Sequence, residues 1–144
     1  MTGHRQGPGG GSASAESDAS AVYANSGNAR VIGSKLSAAT SIATLTNNAH
    51  AYAARSYGNS YLVLENCDIT GMASGGRDTK LAYGAGLHIA GVGTSGLIQA
   101  KSCRILGYTD DSGYGVGYAV YEPTGANNGL AIQLIGCMFP VLYL

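Results

Sequence analysis

One pattern of apolar and polar positions recurs four times along this chain, around Ser34, Cys67, Cys103 and Cys137. The segments read ARVIGSKLS, LVLENCDIT, IQAKSCRIL and IQLIGCMFP, and successive anchors lie 33, 36 and 34 residues apart. Five positions before the anchor stand Ala29, Leu62, Ile98 and Ile132; three before it stand Val31, Leu64, Ala100 and Leu134; two after it stand Leu36, Ile69, Ile105 and Phe139. Alternation with period two describes a strand with one buried face. Just before each anchor the alternation pauses at a pair, Ile32-Gly33, Glu65-Asn66, Lys101-Ser102 and Ile135-Gly136. The pause reads as a corner that keeps both short strands facing inward.

A further strand precedes each of these, as AVYAN, HAYAA, GLHIA and GYAVY. Strict alternation turns Val22 and Ala24, Ala51 and Ala53, Leu87 and Ile89, and Tyr118 and Val120 inward. It leaves Tyr23, Tyr52, His88 and Ala119 as an outward column. The loop that follows varies in length between repeats, as loops on one face of a stacked array can. A unit of 33 to 36 residues with about three strands and no helix is too long for a hairpin and cannot close a βαβ crossover. It fits one turn of a coil, in which equivalent residues of successive turns sit about 4.8 Å apart.

The alignment therefore doubles as a contact map. Cys67, Cys103 and Cys137 form an inward column beneath Ser34 and act as small buried apolar groups. Lys35, Asp68, Arg104 and Met138 stack outward as a charge ladder, and Gln99 stacks on Gln133. The aromatic column stabilises the coil by stacking, and Tyr23, Tyr52 and His88 are also the residues that would carry sugar rings. His50 and His88 read as solvated or locally hydrogen-bonded.

Composition narrows the partners. The 144 residues suit one domain, and 8 basic against 8 acidic side chains leave no net positive field for nucleic acid or an anionic membrane. With 23 Gly and only 11% charged residues, helix formers are scarce. Three Cys without CxxC or Cys/His ligand spacing disfavour zinc and a closed disulfide framework, so no metal and no cofactor is expected. No apolar run of transmembrane length occurs, and the first residues lack the apolar middle of a secretory signal. Residues 1–19 read as a flexible Gly/Ser-rich tail, and residues 20–144 as the repeat domain.

The stretch GAGLHIAGVGTSGLIQAKSCRILG resembles one turn of the right-handed parallel β-helix of the pectin-lyase-like superfamily, and LVLENCDITG is similar to its recurring strand phrase. The resemblance implies an all-β solenoid of about four coils. It carries an architecture and not an activity. Relatives that cleave uronic-acid polymers use clustered carboxylates with calcium and a basic residue, or close aspartates. The one acidic pair here, Asp110-Asp111 in TDDSGYG, reads as the opening of an Asx-type turn. If the chain is an enzyme, Asp110, Asp111 and Arg104 are the residues to test. GGRDTK lacks the spacing of a calcium nonapeptide, and GYGVGYA lacks the third glycine and helix of a phosphate loop.

The expected function is a non-enzymatic module of a phage tailspike or fibre, or of a cell-surface adhesin, structural and polysaccharide-binding. Its place would be extracellular, on a cell surface or on a virion. The alternatives are a polysaccharide lyase or glycoside hydrolase, or a fragment of one, and a self-assembling filament subunit. The apolar end FPVLYL carries no polar cap, which implies either a longer coil or self-association as trimers, side by side or end to end.

Overall fold

The computed structural model describes residues 2–4, 17–41, 48–74, 81–90, 97–109, 115–121 and 131–140. They form twelve strands: β1 (Thr2–His4), β2 (Ser17–Asn25), β3 (Asn28–Ile32), β4 (Lys35–Ser41), β5 (Ala49–Tyr57), β6 (Tyr61–Glu65), β7 (Asp68–Ser74), β8 (Ala82–Ala90), β9 (Leu97–Lys101), β10 (Arg104–Thr109), β11 (Gly115–Tyr121) and β12 (Ala131–Ile135). There is no helix among the described residues. Three four-stranded sheets result, ordered β1-β4-β7-β10, β11-β8-β5-β2 and β12-β9-β6-β3, and every strand pairing is parallel. Each strand from β1 to β9 thus pairs with the one three elements later, so each of the first three repeats supplies one strand to each sheet, while the described part of the last supplies β11, β12 and a single bridge from Met138 to Arg104. β2 begins at Ser17, ahead of the boundary expected at residue 20, and Thr2–His4 pairs with Ser37–Ala39 of β4.

The corners form as the pattern requires. Gly33, Asn66, Ser102 and Gly136 all adopt positive φ, between 53° and 60°. Gly tolerates that left-handed conformation best and Asn better than most, which is the sequence signal of the site. Backbone bonds run through the corner without a gap: Gly33 N donates to Glu65 O at 2.8 Å, Asn66 N to Lys101 O at 2.9 Å and Ser102 N to Ile135 O at 2.8 Å. Just past it, the anchor side chains turn back. Cys67, Cys103 and Cys137 Sγ donate to the carbonyls of Val31, Leu64 and Ala100 in the preceding repeat at 3.5, 3.5 and 3.3 Å. The inward thiol column is as expected, with Cys67 and Cys103 buried and Cys137 half-buried.

Leu62, Leu64, Ile69, Leu87, Ile89, Ile98 and Ile105 are fully buried, each contributing about 1.5–3 kcal/mol before chain entropy is subtracted. The last repeat departs from the expected burial: Leu134 and Phe139 are exposed, because no described strand lies beyond β12 to cover them.

The first and second sheets approach so closely along one seam that only Ala and Gly occupy it, and at Gly71, Gly84 and Gly107 not even a methyl group fits. Ala38, Gly71 and Gly107 are register partners in the first sheet, and Ala19, Ala51, Gly84 and Gly117 in the second. A Cβ on Gly71 would meet the Ala85 carbonyl oxygen at 2.0 Å, one on Gly84 the Tyr108 oxygen at 2.0 Å, and one on Gly107 the Tyr118 oxygen at 1.9 Å. Packed sheets usually stand about 10 Å apart to make room for side chains. Here the interior tapers from Leu and Ile beside the corner to Ala and Gly at the seam.

The second sheet also corrects the expected register. Its ladder skips Ala21, Ala53, Gly86 and Ala119, and there two successive residues face inward: Ala53 and Ala54 are both fully buried, as are Gly86 and Leu87. This bend breaks the period of two. Tyr118, expected inside, lies in the outward register, and Ala119, expected outside, packs on the core.

Candidate functional site

The outer face of the second sheet concentrates most of the described aromatic and titratable side chains that touch one another. Three columns cross it: Asp18, His50, Tyr83 and Val116; Ser20, Tyr52, Ala85 and Tyr118; Tyr23, Arg55, His88 and Tyr121. The expected column Tyr23, Tyr52, His88 and Ala119 does not exist, because Tyr23 pairs with Arg55 and Tyr52 with Ala85. Two of its members still meet. Ala85 offers no ring beside Tyr52, and Tyr52 stacks on His88 instead, centroid to centroid 3.8 Å and 13° from parallel.

Tyr121 extends the stack, with its centroid 5.3 Å from His88 and 5.0 Å from Tyr118. His50 lies 5.6 Å from Tyr52 and 5.1 Å edge-on to Tyr83. Arg55 places its guanidinium 5.3 Å from the Tyr23 ring centroid and 5.4 Å from that of Tyr52, within cation–π range of both. Asp18 ties the basic groups together: its Oδ1 is 3.0 Å from His50 Nδ1, and its Oδ2 accepts from Arg55 Nη1 at 3.2 Å.

These contacts set the electrostatics. The hydrogen bond from His50, and after it the charges of His50 and Arg55, hold the Asp18 carboxyl below the usual carboxylate range against its partial burial. Burial, with Arg55 and His50 adding repulsion, pushes the His88 imidazole down to about 3, so the ring is neutral at pH 7 and stacks as an aromatic. His88 Nδ1 and Arg55 Nε are buried with no hydrogen-bond partner among the described residues. His50 is locally hydrogen-bonded as expected; His88 is not.

Of the three residues expected to carry sugar, Tyr23 is half exposed, whereas Tyr52 and His88 are nearly covered. Tyr52 and His88 form the floor, and Tyr23, Tyr83, Tyr118 and Tyr121 offer the open ring surface. Sequence alone hid Arg55 and Tyr121, whose register depends on the bend at Ala53 and Ala119, and Tyr83, which lies ahead of the bend on the strand before the GLHIA segment. Arg104 stands on another sheet, where its Nη1 pairs with Asp68 Oδ1 at 3.0 Å. Lys35 is the register partner of Asp68, yet among the described residues no ion pair joins them. The Gln99–Gln133 step forms at 2.8 Å. Asp110 and Asp111 lie outside the described residues, and among the described residues no group of three His, Cys, Asp or Glu is placed to hold a metal.

The platform thus combines flat ring faces with one guanidinium, two imidazoles and the Asp18 carboxylate, which is paired to His50 and Arg55. No family model, curated protein or solved structure matches the chain.

Proposed function

We propose that the chain is a right-handed parallel β-helix of the pectin-lyase-like kind, and that it is a non-enzymatic, polysaccharide-binding module of a tailspike, fibre or adhesin exposed outside the cell or on a virion. The coil reading draws support from the three-step strand order shared by all three sheets and from the positive-φ corner in every repeat. The binding reading is carried by one observation, the part-exposed rings of Tyr23, Tyr83, Tyr118 and Tyr121 gathered over the covered Tyr52–His88 stack and beside Arg55 on the outer face of the second sheet. Pyranose rings present axial C–H groups that pack on Tyr faces, and their hydroxyls or carboxylates can take hydrogen bonds from an adjoining guanidinium.

A glycan array followed by calorimetric titration of the best hits tests this. Tyr23→Ala with Tyr121→Ala should weaken binding about tenfold or more, which is about 1.4 kcal/mol. An array without hits, or affinity untouched by the double substitution, refutes the glycan reading. Turnover of an acidic polysaccharide that disappears in Asp110→Ala with Asp111→Ala would replace it with the enzyme reading.

A further inference from the structure

We infer that copies of this chain stack head to tail, the β11/β12 edge of one receiving the β2/β3 edge of the next. The inference takes the coil arrangement above as given but not glycan binding. It starts from where apolar surface is left open. In the third sheet the inward positions of the middle repeats, Leu62, Leu64, Ile98 and Ala100, are fully buried. Their equivalents in β3, Ala29 and Val31, and in β12, Ile132 and Leu134, are only half-buried or exposed. Six of the eight exposed large apolar residues among those described belong to the first and last repeats: Tyr23 and Ile32 at one end, Leu134, Ile135, Met138 and Phe139 at the other.

The repeat register says what each would meet. Ile32, Glu65, Lys101 and Ile135 form one outward column, so a further turn supplied by a second copy places its Ile32 on Ile135; these are 53% and 47% exposed. In the same way Leu134 receives Val31, Ile132 receives Ala29 and Tyr121 receives Tyr23. The charged positions also avoid like pairs: Arg30 would fall on Gln133, Asp18 on Val116 and Lys35 on Met138.

The first sheet fits by a staggered joint. Among the described residues, pairing in the last repeat goes no further than Met138, which bridges Arg104. β1 covers only Ser37–Ala39 of β4 and leaves the Lys35 end of that strand to the incoming Met138. By the same register Met138 and Phe139 would meet Lys35 and Leu36, level with β1 and short of its partners Ser37–Ala39. The joint is heterologous and continues the parallel strand order along one axis, so copies add in an open line instead of closing into a ring.

The wild-type chain, followed by sedimentation velocity and negative-stain electron microscopy over a range of concentrations, should form linear oligomers with copies spaced about 19 Å apart, four strand spacings. Ile32→Glu and Ile135→Lys should each stay monomeric where the wild type assembles, with strand circular dichroism retained because both sites are exposed on the outer face. An equimolar mixture of the two should assemble again, since every joint then pairs Glu with Lys or Ile with Ile. Met138→Glu, which meets Lys35 of the next copy, should assemble at several-fold lower concentration, and Met138→Lys at several-fold higher. A wild-type chain that stays monomeric, closed dimers or trimers, or single variants that assemble like the wild type would overturn the inference. A chain that stacks without binding glycan, or binds without stacking, separates this result from the glycan reading.

Discussion

Gly107→Ala is the sharpest test of the seam between the first and second sheets. The added methyl carbon would lie 1.9 Å from the Tyr118 carbonyl oxygen, 2.5 Å from that of Gly84 and 2.7 Å from Ala85 Cα, whereas ordinary contact begins at 3.4 Å. It is therefore about 1.5 Å short of space, and none of the opposing atoms belongs to a side chain that could swing away. Relief requires the two sheets to part, and parting them strains the ladders that hold Gly84 to Ala51 and Gly117. Overpacking of a core usually costs about 1–3 kcal/mol, and a rigid backbone wall puts this site at the upper end or beyond, at least about 3 kcal/mol. Gly33→Ala is the matched control. No atom lies within 4 Å of its Cβ, so only the left-handed φ of 60° is penalised, by about 1–2 kcal/mol. The entropy that alanine removes from the unfolded chain is common to both and cancels in the comparison. Urea unfolding followed by far-ultraviolet circular dichroism reads both values at unchanged slope. Equal destabilisation by the two substitutions would refute the close approach of the sheets.

Other expectations follow from the same geometry. Ile105→Ala should cost about 2–5 kcal/mol, because its side chain is fully buried, while Arg104→Ala should cost no more than about 1 kcal/mol, because its ion pair with Asp68 is exposed; equal midpoints in urea would contradict the inward and outward assignment. Asp18 and His88 both have folded pKa values below their unfolded ones, so the unfolded chain binds more protons in acid and stability falls as pH falls. For His88 the loss develops between 6.5 and about 3, and for Asp18 below 3.8, with a slope of up to about 1.4 kcal/mol per pH unit for one proton. His88→Gln should flatten the denaturation midpoint between pH 6.5 and 4, and a wild-type profile already flat there would count against the buried neutral imidazole. Cys137 should react first with a soluble alkylating agent, since it is half-buried, whereas burial raises the Cys103 thiol pKa and shields it until unfolding; mass spectrometry showing Cys103 modified first would contradict the thiol column.

The parts of the fold legible in the sequence are those in which a local rule is repeated. Alternation around Ser34, Cys67, Cys103 and Cys137 predicts the strands on both sides of the corner. The Gly or Asn that stands there in three of the four repeats, with Ser102 in the other, is the residue type a left-handed conformation favours, so the third sheet and the start of the first follow from the chain alone. The thiol column, the Gln99–Gln133 step and the Arg104–Asp68 pair are consequences of that one register.

The platform was not legible in the same way. Loops of unequal length separate the second-sheet strands from the corner, so the anchor spacing does not transmit their register. The bend at Ala53 and Gly86 then reverses the facing of every residue after it. Which rings share a column, that Arg55 lies between Tyr23 and His88, and that Tyr118 leaves the core were decided by backbone pairing across repeats. The seam is likewise a tertiary fact. A glycine in sequence states only that no side chain is needed; that Gly71, Gly84 and Gly107 leave no room for one follows from the carbonyl groups of Ala85, Tyr108 and Tyr118 on the other sheet, beyond the reach of any local period.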